Sequence, residues 1–320
     1  MRFSRRVFVG VSAAAFALAT FGAQAAEKLS VVATTGMIAD VAQVIGGDAV
    51  EVQALMGPGV DPHAYRQTRT DIVAMTRSDL VLWHGLYLEA QMENFLGDLA
   101  DQKAVVAVGS SVPEEKLQAH EDYDGRFDPH VWMDPVLWSY VVGGVRDALT
   151  EAMPAEADGF AERADAYLAE AEKLGAYAEA SLTSVPKEAR VLVTAHDAFS
   201  YFGAAYGFEV AGIQGISTES EAGLNRIGEL VDMLVERKVG AVFVESSVSD
   251  RNIRALIEGA AAQGHEVVIG GELFSDAMGP EGTYEGTWVG MIDHNITTIA
   301  GALGGDVPDG GMNGKLAAGS

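Results

Sequence analysis

Short runs of apolar and β-branched residues alternate along the chain with stretches whose apolar positions recur every three or four residues. The first pattern predicts strands, and the second predicts helices with one buried face. Strands are predicted over 29–33, 50–55, 80–83 and 104–108, with helices over 37–45, 71–77, 87–99 and 135–153. The alternation then restarts. Strands are predicted over 190–194, 209–213, 241–244 and 267–269, and helices over 199–206, 224–238, 252–263 and 287–303. Strand–helix–strand repetition implies crossover connections, and hence mostly parallel sheets covered by helices.

One segment departs from this rhythm. Phe160, Ala164, Tyr167, Leu168, Ala171, Leu174, Ala178 and Leu182 fall mostly three or four apart, with charged residues between them. They predict one amphipathic helix over 156–182, about 38 Å long at 1.5 Å per residue. Gly175 is the point at which it could instead divide into two shorter helices. The predicted organisation is α/β, with two Rossmann-like lobes at 26–154 and 186–304. A rigid helix over 155–185 joins them, and a Gly-rich flexible tail follows over 305–320. Residues 112–127 are polar and acidic and are predicted to form a surface loop.

Residues 1–25 are read as a secretory signal peptide rather than as fold. Arg2, Arg5 and Arg6 give a basic start, 7–21 is apolar, and Ala23-Gln24-Ala25 offers a small-residue cleavage site. Ser4-Arg5-Arg6-Val7-Phe8 is similar to a twin-arginine signal, so either export route would deliver the protein to the periplasm. No later stretch reaches 18 consecutive apolar residues, about the least that spans a bilayer as a helix.

Charge and composition remove several function classes. The 320 residues carry 21 Lys and Arg against 46 Asp and Glu, a net charge of −25. Without the three leader arginines it becomes −28. Nucleic-acid partners are excluded, because phosphate binding needs clustered cations. The absence of cysteine rules out disulfides, thiolate metal sites, iron–sulfur ligation and a lipid-anchored N-terminal cysteine. A metal site here must use histidine, carboxylate or backbone oxygen. At 48% apolar content, the chain is not predominantly disordered.

The candidate chemistry lies among seven histidines. His63 follows Asp61-Pro62 after a Gly-Pro-Gly turn, and His130 follows Asp128-Pro129. His196 sits at the end of a predicted strand, just before a helix. Ligands in open α/β sheets bind beyond the carboxyl ends of strands, where His63 and His196 are predicted to lie in opposite lobes. An Asp-Pro pair also restricts the backbone that aims the next side chain. Asp276, beyond another strand, could complete a site of three imidazoles and one carboxylate for a first-row metal. The spacing alone is weak support, since no two of these residues share a short metal-binding motif, and a lone strand-end histidine is commonly a packed or solvated residue. His84 is expected to be structural or to support the site. His265 and His294 are expected on the surface or on helices, and His120 could recruit metal from the acidic loop. Glu245 could hydrogen-bond a ligand imidazole or sit at a helix N-terminus. Trp132, Tyr65 and Phe199 are expected to wall the site from water.

The stretches GPGVDPHAYRQT, DPHVWMDP, TAHDAFSYFGAAYG, GIQGISTESEAG, AVFVESSVS, GGELFSDAMG and GTYEGTWVGMIDHN occur in that order through the chain. Together they resemble the zinc/manganese solute-binding proteins of bacterial ABC importers. The resemblance implies two α/β lobes joined by one rigid helix, with the metal between them. It implies His63 and His130 as ligands from the first lobe, and His196 and Asp276 from the second. It also implies an ABC-transporter permease as partner, with Mn2+ or Zn2+ as the bound transport substrate, and the protein is expected to be a monomer. The usual periplasmic zinc importers carry a long His/Asp-rich loop, whereas residues 114–126 here hold five acids and only His120. That departure, with GIQGISTESEAG and DPHVWMDP, favours the manganese or mixed branch. The Irving–Williams order still gives Zn2+ at least equal affinity for such donors.

Two other readings stay open at this point. A secreted zinc metallohydrolase would need an open metal position and a base such as Glu245 or Asp197. A binder of a chelated metal or small organic ligand would need a roomy cleft. Four protein ligands argue against catalysis, and the expectation is that the protein is not an enzyme.

Overall fold

A computed structural model describes residues 28–119, 125–219 and 223–317. The leader assigned to 1–25 and His120 of the acidic loop lie outside the described residues.

The first half is built on a parallel sheet of β1 (Leu29–Ala33), β2 (Val50–Ala54), β3 (Leu80–Trp83) and β4 (Ala104–Ala107), in the order β2-β1-β3-β4. Its helices are α1 (Gly36–Gly46), α2 (Arg69–Arg77), α3 (Glu93–Ala100) and α4 (Pro135–Ala152). The boundaries follow local chemistry. Thr68 and Asp71 form a reciprocal capping box on α2. Asp134 caps α4 ahead of Pro135, whose missing N–H costs nothing in the first turn. α5 (Ala157–Thr183) is one unbroken helix of 27 residues, running through Gly175 without a division.

The second half holds β5 (Val191–His196), α6 (Ser200–Tyr206), β6 (Glu209–Gln214), α7 (Leu224–Arg237), β7 (Ala241–Glu245), α8 (Arg251–Ala262), β8 (Val268–Leu273) and α9 (Trp288–Ala302). β5 pairs with β6 and β7 with β8, both parallel, and β5 lies beside β7.

Three expectations need correction. The helix predicted over 87–99 begins only at Glu93. Gly85, Leu86 and Tyr87 all have positive φ, which no α-helix accommodates. The buried Glu89 carboxylate holds that turn by accepting bonds from the backbone of His84 and Gly85 and from the Thr34 hydroxyl. The strand predicted over 267–269 continues to Leu273 through two glycines. A Cβ on Gly271 would lie 2.4 Å from Thr298 Cγ2, so the glycine lets α9 approach the sheet. The tail is tied down over its described part. Met312 N–H donates to Asp293, Asn313 bonds Tyr284, and Leu316 is buried.

The largest core joins the two halves. The stripe Phe160, Ala164, Ala171, Leu174, Ala178 and Leu182 of α5 packs in one cluster with α1, α4 and α9. Trp288 of α9 stacks on Trp138 of α4 and Tyr167 of α5, with ring centres 5.7 and 6.0 Å away. The carboxyl ends of the strands in both halves turn toward the seam, and the site forms there.

Candidate metal centre

The structure brings all four sequence-predicted residues together. His63, His130, His196 and Asp276 each present one candidate ligand atom, and these atoms lie within 4.8 Å of one another. His63 lies in the loop after β2, His130 follows the acidic loop, His196 is the last residue of β5, and Asp276 stands three residues beyond β8. The side chains of all four are 0–1% exposed.

The two Asp-Pro-His motifs share one local device. Asp61 Oδ1 accepts the backbone N–H of His63, and Asp128 Oδ1 accepts that of His130, both at 2.9 Å. Each carboxylate thus fixes the backbone two residues on, in the manner of an Asx turn. The motifs then diverge. Asp128 also takes the His130 Nδ1 at 2.6 Å, whereas Asp61 turns its second oxygen to the Thr218 hydroxyl of the other half, at 2.6 Å. Glu245 does for His196 what Asp128 does for His130. It accepts the His196 backbone N–H at 2.9 Å and contacts Nδ1 at 2.5 Å. With Nδ1 committed to a carboxylate, Nε2 is the ring atom that faces inward and is free to bind an ion once deprotonated.

The inward atoms are spaced for one small ion. Asp276 Oδ1 is 3.3 Å from His130 Nε2, and Oδ2 is 3.2 Å from His196 Nε2 and 3.8 Å from His63 Nε2. The two Nε2 atoms of His130 and His196 are 3.3 Å apart. Metal–ligand bonds of about 2.0–2.2 Å place neighbouring tetrahedral ligands roughly 3.3–3.6 Å apart. Both ring nitrogens of His63 and both carboxylate oxygens of Asp276 are buried with no hydrogen-bond partner. Orphaned buried polar atoms are rare and costly, and four of them at one point call for a ligand.

The charges are arranged in the same sense. Burial lowers the His63 pKa to about 3, with His130 and His196 adding to the effect against Asp276, so this ring stays neutral. Burial also disfavours the charged form of His130, but Asp128 and Asp276 outweigh it and lift the ring to about 9. In His196 burial is likewise overcome by Asp276 and Glu245, and the pKa is raised. Burial would raise Asp276, yet His196, His130 and His63 hold it well below the usual carboxylate range. The pocket therefore carries a fixed negative oxygen pair among imidazoles that share protons with outer carboxylates.

The remaining candidates fall around this centre. His84 bonds the Pro129 carbonyl at 2.7 Å and so supports the loop carrying His130. His294 is buried on α9 and bonds the Glu272 carbonyl, and His265 bonds the Val239 carbonyl. Trp132 packs edge-on to His130, with ring centres 5.1 Å apart. Tyr65 is not a wall of the site, because its hydroxyl turns to Asp71 and its ring packs on the cluster of Met75 and Leu96. Phe199 is buried in the main core among Phe202 and its neighbours. Asp128 escaped the sequence reading as a partner of its own motif's histidine; its signal was the Asp two residues before a candidate ligand.

Residues 31–302 match the family described as "Zinc-uptake complex component A periplasmic". The chain is 48% identical over 282 residues to the manganese-binding lipoprotein MntA of Bacillus subtilis (strain 168), covering 88% of this chain and 92% of that protein. It is also 48% identical over 281 residues to the zinc-binding protein TroA of Treponema pallidum, covering 88% and 91%. The solved structure of the periplasmic zinc-binding protein TroA from Treponema pallidum superimposes with a TM-score of 0.84, covering 87% of this chain and 99% of that one.

Proposed function

The chain belongs to the periplasmic zinc-uptake component A family, and from that membership we propose that it captures one Mn2+ or Zn2+ ion between its two lobes and hands it to an ABC importer. In this reading His63, His130, His196 and Asp276 are the ligands, and the cargo is the bare ion. The observation that carries it is the set of buried, unpartnered donor atoms converging across the seam. Inward-facing atoms within 4.8 Å of one another suit a bare ion better than a chelate or organic solute.

Relatives of equal similarity are named for manganese and for zinc, so the choice of ion rests on the donors. Both oxygens of Asp276 face imidazole nitrogens. Three nitrogens and a bidentate carboxylate give five donors, which suits Mn2+ better than the four-coordinate habit of Zn2+. This tilts the reading toward Mn2+ as the transported ion, while Zn2+ binds the same donors tightly.

Among the described residues no helix is long and apolar enough to cross a membrane. With no cysteine in the sequence, a lipid-anchored N-terminal cysteine cannot be formed within these residues. We place the protein in the periplasm as a monomer, exported by its N-terminal signal, with the permease as its macromolecular partner and no catalytic role. Calorimetric titration of chelator-stripped protein with MnCl2 and ZnCl2 tests the reading. One ion per chain is expected, with no metal-dependent turnover of ester or peptide substrates; no binding of either ion would overturn it.

A further inference from the structure

Trp132 touches the ligand sets of both halves. Its ring lies edge-on to His130, and its indole N–H crosses the seam to donate to the Ser275 carbonyl, at 2.8 Å. Ser275 immediately precedes Asp276. From its own half that segment is held by Asn295, which clamps both the N–H and the carbonyl of Phe274, and by the Ser247 hydroxyl on Ser275. Trp132 supplies the hold from the opposite half. The tryptophan is itself fixed, with 0% exposure, the His84 ring at 5.1 Å and its own carbonyl accepting the Trp288 indole N–H at 3.1 Å.

The two Asp276 oxygens meet only the three imidazoles, 3.2–3.8 Å away, and no other side chain bonds them. The backbone on which the carboxylate stands therefore aims it. We propose that Trp132 is a specificity-positioning residue: by holding Ser275 across the seam, it keeps both Asp276 oxygens turned to the imidazoles and so favours an ion that uses five or more donors. A carboxylate freed to rotate would still offer one oxygen. Zn2+, satisfied by four ligands, would lose little, whereas Mn2+ would lose its fifth donor.

This inference rests on the metal-binding reading above, and the test separates the two. Dissociation constants for MnCl2 and ZnCl2 are measured on chelator-stripped wild type, Trp132→Phe and Trp138→Phe. Trp138→Phe removes another buried indole from the same seam, one whose N–H bonds neither Ser275 nor Trp132. Failure of the wild type to bind either ion sinks the metal-binding reading itself. With the wild type binding, Trp132→Phe is expected to weaken Mn2+ about ten-fold more than Zn2+, within the range for lost outer hydrogen bonds. Trp138→Phe is expected to leave the ratio unchanged. Equal weakening of both ions by Trp132→Phe, no weakening, or the same ratio change in Trp138→Phe would overturn the proposal. If Trp132→Phe does not fold, benzothienylalanine at position 132 keeps the ring size, removes only the N–H donor, and is judged by the same outcomes.

Discussion

Replacing Glu245 by Gln keeps the side-chain size and removes one buried charge behind His196. The 2.5 Å contact to Nδ1, the width of an imidazole and a metal–nitrogen bond of about 2.0–2.1 Å put a bound ion roughly 6–7 Å from this carboxylate. At an effective dielectric of about 20, one pair of unit charges at about 6.5 Å interacts by about 2.5 kcal/mol. The ion carries two charges, but it replaces a proton that Asp276 and Glu245 already stabilise on His196 against the effect of burial. The net electrostatic gain from Glu245 is then near one unit charge, or about 70-fold in affinity. The Gln amide also blurs the tautomer choice, because it can present a donor to Nδ1. Glu245→Gln should therefore weaken Zn2+ and Mn2+ by 10- to 100-fold, the usual cost of losing such a partner (about 1.4–2.7 kcal/mol). Competition against a chelating dye at pH 7 measures this directly. An affinity within about three-fold of wild type would refute the reasoning, because the carboxylate would then not be setting the ligand at all.

The other predictions concern ligands, protons and packing. His63→Ala and Asp276→Ala should each weaken binding by about 100-fold or more, since four-ligand sites of about 10–16 kcal/mol leave roughly 3 kcal/mol per ligand; unchanged calorimetric affinity in either would remove that residue from the site. His130 is lifted to about 9 by Asp128 and Asp276 against the effect of burial, so the metal-free ring is protonated at neutral pH. Ion binding at pH 7 should thus release protons and tighten as pH rises toward 9; calorimetry showing no dependence on buffer ionisation enthalpy would contradict this. Burial raises Asp40 to about 6, against hydrogen bonds from Trp288 and Tyr167. Its contribution to stability is complete below the unfolded carboxylate pKa of 3.8 and lost as pH rises through about 6. Asp40→Asn, which still accepts both bonds, should therefore raise Tm at pH 8 by about 2–4 °C more than at pH 4.5, and equal Tm gains at the two pH values would count against it. Truncation after residue 304 removes the Met312 N–H from the buried Asp293 carboxylate. A loss of about 1–3 kcal/mol in urea unfolding is expected, and unaltered stability would mean the tail contributes nothing.

Much of the fold was legible because the apolar spacing was clean. The α5 stripe from Phe160 to Leu182 is buried where a 3.6-residue period puts it, and the β-branched runs at 29–33 and 80–83 are strands with the predicted bounds. Where backbone geometry overrode side-chain pattern, the reading failed. Tyr87 looks helical by residue type, but the left-handed turn it shares with Leu86, held by Glu89, displaces the helix start. Gly270 and Gly271 look like a strand end, yet they are where α9 packs too close for a Cβ. The tail lacks an apolar period, and its anchoring to Asp293 and Tyr284 is polar and long-range, so no local pattern announces it. The four candidate ligands were legible as strand-end and Asp-Pro-His residues. Their convergence came only from the family resemblance and not from the residue pattern, because it depends on how two halves pack across Trp132, Trp138 and Trp288.

X-ray absorption on the Mn2+- or Zn2+-loaded protein tests the central claim most directly, because it reads the ion's own neighbours. Nitrogen and oxygen ligands only are expected, with scattering from three imidazole rings and carboxylate oxygen at about 2.0–2.2 Å. A spectrum with fewer than two imidazoles, or one left unchanged when His196 is replaced by Ala, would contradict it.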